Sequence, residues 1–253
     1  MSGVAPARAT TAVLDVAGVS VRYGGVKALD GVDLCVIPGQ VTGLIGPNGA
    51  GKTTLFNVVT GLERSGEGTV TLAGQPAQGL APHRRARLGL ARTFQRLEVF
   101  ASLTVRDNIL AAAEFRRGWG RDGSDPRRVT EDILRRVGLR GMADARVDAL
   151  PTGLARLVEL GRALATAPRL LLLDEPGSGL DARETEELAG LLTSLAADGM
   201  GILLVEHDVD LVMRVCNPVY VLDFGRIIAV GTPQQVRADP AVQAAYLGAE
   251  PAA

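Results

Sequence analysis

Residues 46–54 read Gly-Pro-Asn-Gly-Ala-Gly-Lys-Thr-Thr and follow directly on the apolar run Val41–Ile45. Few short stretches constrain a chain so tightly. Glycines let the backbone curl until successive N–H groups face an anion. Gly46, Asn48, Gly49 and Gly51 belong to that cradle, and Thr54 follows it. Lys52 is placed to reach the β- and γ-phosphates of a nucleotide, and the Thr53 hydroxyl to ligate Mg²⁺. A helix starting here adds its positive dipole end. A chance Gly-rich turn is the plain alternative, and the strand signal just before it argues against chance.

The chain has 253 residues, 47% of them apolar, with a net charge of −1. That length allows one domain or two closely packed lobes. No long basic stretch invites a nucleic acid. Residues 1–11 have no apolar core of signal-peptide length. The apolar runs at 170–173 and 201–205 are far too short to span a bilayer and read as buried parallel strands. Cys35 and Cys216 match no metal spacing and are expected as buried reduced thiols.

Residues 14–45 read as strands separated by turns at Gly24-Gly25 and Pro38-Gly39. A helix follows the P-loop and stops at Gly61, and 68–73 is a further strand. From about 101 to 165 the spacing is helical, over 105–115, 129–137 and a helix beginning near Thr152. The Arg-, Gly- and Asp-rich stretch 116–128 reads as a solvated loop. Strand and helix then alternate from 170 to 230, and the tail 233–248 forms one or two short helices. The fold class is therefore α/β. An antiparallel sheet leans on a nucleotide-binding core, and a helical segment is inserted.

Two acids close an apolar strand at Leu173-Asp174-Glu175. Asp174 can hold Mg²⁺ through water, and Glu175, one step further out, can deprotonate an attacking water. An acidic turn after a strand is common, but downstream of a P-loop it is improbable. His207 closes the next strand in Val205-Glu206-His207-Asp208. Parallel neighbours end on one sheet edge, so His207 can approach the γ-phosphate. His83, between Pro82 and Arg84, has no such setting and is expected to be exposed.

Together these pieces resemble an ABC-type ATPase subunit over almost the whole chain. The resemblance implies a P-loop NTPase core over 12–95 and 166–232, which includes the antiparallel β subdomain. It implies a helical subdomain over 96–165 and a tail over 233–253, the whole forming one cassette over 12–250. Gln95 matches the family's glutamine that senses Mg²⁺ and the attacking water, which adds it to Thr53 and Asp174 as a metal-site residue. Ser178-Gly179-Leu180-Asp181 matches the D-loop and His207 the switch histidine. Tyr23 stands where the family has an aromatic that stacks on adenine, although strands favour aromatics in any case. The family's signature, usually Leu-Ser-Gly-Gly-Gln, is here Leu150-Pro151-Thr152-Gly153-Leu154. Pro151 has neither hydroxyl nor N–H. Thr152 is expected to cap the helix, and Gly153 to offer its N–H to an anion.

Within the family, the stretches 89–95, 99–109, 220–226, 231–233 and 245–248 are similar to ATP-binding subunits of branched-chain amino acid importers. Urea or amide importers and lipopolysaccharide exporters use related subunits. The resemblance implies ATP and Mg²⁺ as ligands and a head-to-tail pair with a second ATP-binding subunit, more often a different chain. It also implies integral membrane permeases as partners and, indirectly, an extracytoplasmic solute-binding protein. The chain would then sit peripherally at the cytoplasmic face, with the segment 95–100 receiving the permease. A soluble ABC ATPase of DNA repair or translation is disfavoured. The stretch between Lys52 and Asp174 has no sustained heptads, and there is one cassette.

Overall fold

The computed structural model describes residues 12–120 and 123–247. The reading of residues 1–11 as lacking a signal peptide, two residues of the 116–128 loop, and Gly248 with the rest of the tail lie outside the described residues. Strands β1 (Leu14–Tyr23), β2 (Val26–Val36), β4 (Glu67–Leu72) and β5 (Gln75–Pro76) form an antiparallel sheet in the order β2-β1-β4-β5. A second sheet combines β3 (Val41–Ile45), β6 (Leu90–Arg92), β7 (Leu170–Asp174), β8 (Gly201–Val205), β9 (Val219–Asp223) and β10 (Arg226–Gly231). Its order is β10-β9-β3-β8-β7-β6, parallel throughout except for the edge pair β9–β10.

The unbroken apolar runs have a simple cause: both faces of the second sheet are covered. Side chains alternate between faces along a strand. Leu170 and Leu172 of β7 join a core under the antiparallel sheet with Leu44, Leu203 and Leu222. Leu171 and Leu173 join a second core with Ile202 and Leu204 on the opposite face. Helices α3 (Val105–Arg117), α4 (Pro126–Arg136) and α5 (Thr152–Ala165) lie between β6 and β7 in the chain and pack into that second core through Ile109, Leu134 and Val158. Each such leucine or valine contributes about 1.5–3 kcal/mol when fully buried. The remaining helices are α1 (Lys52–Thr60), α2 (Pro82–Arg87), α6 (Ala182–Ala197), α7 (Val209–Val215), α8 (Pro233–Ala238) and α9 (Pro240–Leu247).

Several expectations need adjusting. The loop after α3 is shorter than 116–128, because α3 runs to Arg117 and Asp125 caps α4, accepting from the Arg127 N–H. Three of these strands and helices, β5, α2 and β6, have no counterpart in the sequence reading. Thr152 does not cap α5. Pro151 occupies the N-cap position, no side chain makes a capping bond, and Thr152 is the first helical residue. The cause is geometric: Pro151, at φ −54° and ψ 149°, already supplies the extended turn into the helix. Cys35 is only partly buried, whereas Cys216 is buried, and both are free. Burial pushes the Cys216 thiol up to about 12.

Candidate active site at the sheet edge

Four parallel strands deliver their last residues to one edge. The P-loop leaves β3, Thr93-Phe94-Gln95 leaves β6, Glu175 leaves β7, and Glu206-His207 leaves β8. Register fixes the neighbours, since Asp174 pairs with Val205 and the Glu175 N–H donates to the Val205 carbonyl at 2.9 Å.

The P-loop geometry depends on glycine at two places. A Cβ on Gly46 would lie 2.0 Å from the Leu222 carbonyl oxygen, and one on Gly51 would lie 2.6 Å from that of Ala28. Gly51, at φ 112°, opens α1 without any capping side chain, so the first N–H groups of that helix remain available to an anion. Asn48, Gly49 and Thr53 are exposed and Thr54 is half-buried. The Lys52 ammonium donates to the carbonyls of Gly46 (2.6 Å) and Pro47 (3.0 Å). Burial lowers its pKa, and the nearby charges of Glu175 and Asp174 pull it back up.

Glu175 is the convergence point. One carboxylate oxygen, Oε1, lies 2.8 Å from His207 Nε2 and 3.5 Å from the Gln95 amide nitrogen. The second distance is too long for a strong hydrogen bond. Glu175 also sits at φ 52°, in the left-handed region that a long side chain seldom adopts. Such strain persists only where surroundings enforce it, and it gathers at functional positions. Asp174 is buried, and its N–H donates to Thr93 Oγ1 at 3.2 Å. Burial pushes its carboxyl pKa up, while Arg92 and Lys52 draw it back down.

Tyr23 is half-exposed at the end of β1, and its hydroxyl donates to Glu63 at 3.0 Å. Burial and the Glu63 carboxylate raise the pKa of that hydroxyl, and the Thr54 hydroxyl lowers it. Thr152, Gly153 and Asp181 form a separate patch. Gly153 packs against the Gly179 carbonyl and Leu180. Asp181 caps α6 through a reciprocal pair with Glu184, accepting at 2.8 Å and donating its N–H at 2.9 Å. His83 is exposed, as expected.

Sequence reasoning passed over two buried acids. Glu206 accepts from the Gly177 N–H at 2.6 Å and the His207 N–H at 3.1 Å, fixing the turn after Glu175 and the backbone under His207. Glu159, on α5, accepts from the Phe94 N–H at 3.1 Å and ties the root of the Gln95 segment to that helix. For Glu159 the available signal was an acid inside an apolar helical pattern, and for Glu206 an acid directly after an apolar strand. Glu206→Ala should lower stability by about 1–3 kcal/mol, because the half-buried Gly177 N–H and the His207 N–H both lose their acceptor. Glu206→Gln should cost less, and urea denaturation of the two variants would rank them.

This arrangement can bind a polyphosphate on backbone donors and Lys52 and set a carboxylate base beside it. A family model described as "ABC transporter" matches residues 29–178, and one described as "Branched-chain amino acid ATP-binding cassette transporter" matches residues 226–252. A high-affinity branched-chain amino acid transport ATP-binding protein, BraF of Pseudomonas aeruginosa, is 39% identical over 93% of this chain and 98% of its own. The lipopolysaccharide export system ATP-binding protein LptB of Haemophilus influenzae is 35% identical over 93% and 97%. The ADP conformation of MJ1267, an ATP-binding cassette of an ABC transporter, superimposes with a TM-score of 0.82. It is 32% identical and covers 94% of this chain and 100% of that one.

Proposed function

Because this chain belongs to the ABC transporter family of ATP-binding cassettes, we propose that it binds and hydrolyses ATP to power an importer of branched-chain amino acids or related small polar solutes. The match of residues 226–252 to a branched-chain amino acid cassette model carries the importer reading. The lipopolysaccharide-export relative, at lower identity, supports the runner-up, an exporter subunit. No helix among the described residues is long and apolar enough to cross a membrane. The reading therefore gives the membrane path to permease partners and this chain a peripheral place at the cytoplasmic face.

In this mechanism the P-loop N–H groups and Lys52 hold the phosphates, and Tyr23 stacks on the adenine. Thr53, Asp174 and Gln95 would hold Mg²⁺. They offer a hydroxyl, a carboxylate and an amide oxygen, the hard donors that ion prefers, and one acid leaves room for phosphate and water. Mg²⁺, when bound, neutralises phosphate charge. Glu175 accepts the proton of the attacking water, and His207, 2.8 Å away, holds that carboxylate in place. Thr152, Gly153 and Asp181 serve ATP held by a second, head-to-tail subunit. A groove of about 350 Å³, lined by Phe94, Glu98, Trp119 and Arg162 among others, adjoins the Gln95 segment and suits a docking element of the permease.

Lys52→Ala should weaken ATP binding about 10- to 100-fold, the loss of a charge-assisted contact of about 1.5–3 kcal/mol. It should also abolish turnover. Fluorescent-nucleotide titration and phosphate release measure the two, and wild-type values for both would sink the P-loop assignment. Uptake of labelled leucine by vesicles holding this subunit with its permeases tests the cargo. ATPase activity without uptake would overturn the branched-chain reading alone.

A further inference from the structure

Arg92 is a large cation placed where burial is costly. It ends β6, and its side chain is 6% exposed. Its guanidinium has a different partner on each side. Nη1 donates to Asn57 Oδ1 on α1 at 2.6 Å. Nη2 donates to Asp174 Oδ2 at 3.2 Å, and Nε donates to the Thr93 carbonyl at 3.3 Å. The rings of Phe56 and Phe94 lie 5.3 and 4.8 Å from the guanidinium carbon. One side chain thus joins the helix that starts at Lys52, the acid at the end of β7, and the residue before Gln95.

A buried ion pair is a poor source of net stability, because desolvation of both ions offsets their attraction. Fold stability is therefore a weak reason for this arrangement, whereas orientation is a good one. A forked, planar donor can hold an amide oxygen and a carboxylate at a fixed angle, which an ammonium cannot. We propose that Arg92 is a positioning residue for the Mg²⁺ site. It fixes Asp174 through Oδ2 and leaves Oδ1 for the ion. It also locks that carboxylate in register with the P-loop helix through Asn57 and with the Gln95 segment through Phe94. The inference rests on the reading of Asp174 as a Mg²⁺ ligand.

An opposing effect has the opposite sign. A guanidinium near Mg²⁺ also repels it, and if repulsion dominated, removing the charge would tighten the ion. Titrating Mg²⁺ into the full-length protein with a fluorescent ATP analogue, and measuring binding of the same nucleotide in EDTA, separates the two. Arg92→Met should raise the half-saturating Mg²⁺ concentration about tenfold, the usual scale for loss of a group that orients a metal ligand. Affinity in EDTA should stay at the wild-type value, a split that general loosening of the fold would not produce. Arg92→Lys, which keeps the charge and loses the fork, should be intermediate. If Arg92→Met does not fold, Asn57→Ala frees the guanidinium from α1 and should shift Mg²⁺ in the same direction by less. A half-saturating concentration that is unchanged or lower in the variants, while Asp174→Asn raises it, overturns the positioning role and leaves the ligand reading standing. If Asp174→Asn also leaves it unchanged, the ligand reading fails and the inference goes with it.

Discussion

Glu175→Gln should leave ATP binding intact and slow hydrolysis about 10²- to 10⁴-fold, the span attributed to a positioned general base. The substitution is nearly isosteric, so the strained backbone at φ 52° and its bond to the Val205 carbonyl should survive. The lost property is proton acceptance. Oε1, now shared between His207 and the approach of Gln95, becomes part of an amide that cannot take a proton from water. ATP should then persist in the site and hold two subunits together. Phosphate release by the assembled transporter measures the first effect. Size-exclusion chromatography with ATP measures the second. A turnover near wild type would remove Glu175 from the chemistry. His207→Ala should slow hydrolysis less than Glu175→Gln does, since it removes only the group that holds Glu175.

The sequence shows the members of this site but not how they are joined. Each conspicuous residue ends a strand whose run is apolar on both faces. Leu170 to Leu173 and Ile202 to Val205 announce buried parallel strands, and parallel strands end on one edge. From that alone, Lys52, Asp174, Glu175 and His207 can be brought together. Arg92 could not be assigned a role this way. Its partners Asn57 and Asp174 lie far away in the chain on both sides, and no periodicity connects them. The strand that carries it has three residues, too short for any alternation to register. Helix α2 was hidden for a related reason, since its six residues carry three arginines and a histidine and no apolar stripe. Thr152 misled because a threonine at the start of a helix usually caps it, and the preceding proline had already made the turn.

Gly153→Ala should be the most damaging small substitution in the signature segment. A Cβ there would lie 2.7 Å from the Gly179 carbonyl oxygen and 2.7 Å from Leu180 Cδ2. The leucine side chain can swing away, but the carbonyl is backbone, and Gly179 itself is held at φ 85°. The loop between Glu175 and α6 would have to shift, at a cost of about 1–3 kcal/mol by the usual scale for overpacking. That loop begins at Glu175 and ends at the Asp181 cap of α6, so a shift reaches the proposed base and the proposed trans contact together. We expect a Tm lower by several degrees and a larger loss of turnover than the stability change alone would produce. Thr152→Ala gives the contrast. Its hydroxyl makes no capping bond, so its Tm should match wild type. A fall in turnover there would mean the hydroxyl acts on ATP held by the other subunit. Pro151→Ser should keep or raise turnover, because Pro151 is exposed and its place in the turn can be filled by a serine that caps. Wild-type Tm and turnover in Gly153→Ala would mean that loop 177–181 yields freely. The tight contact between signature and D-loop would then constrain nothing.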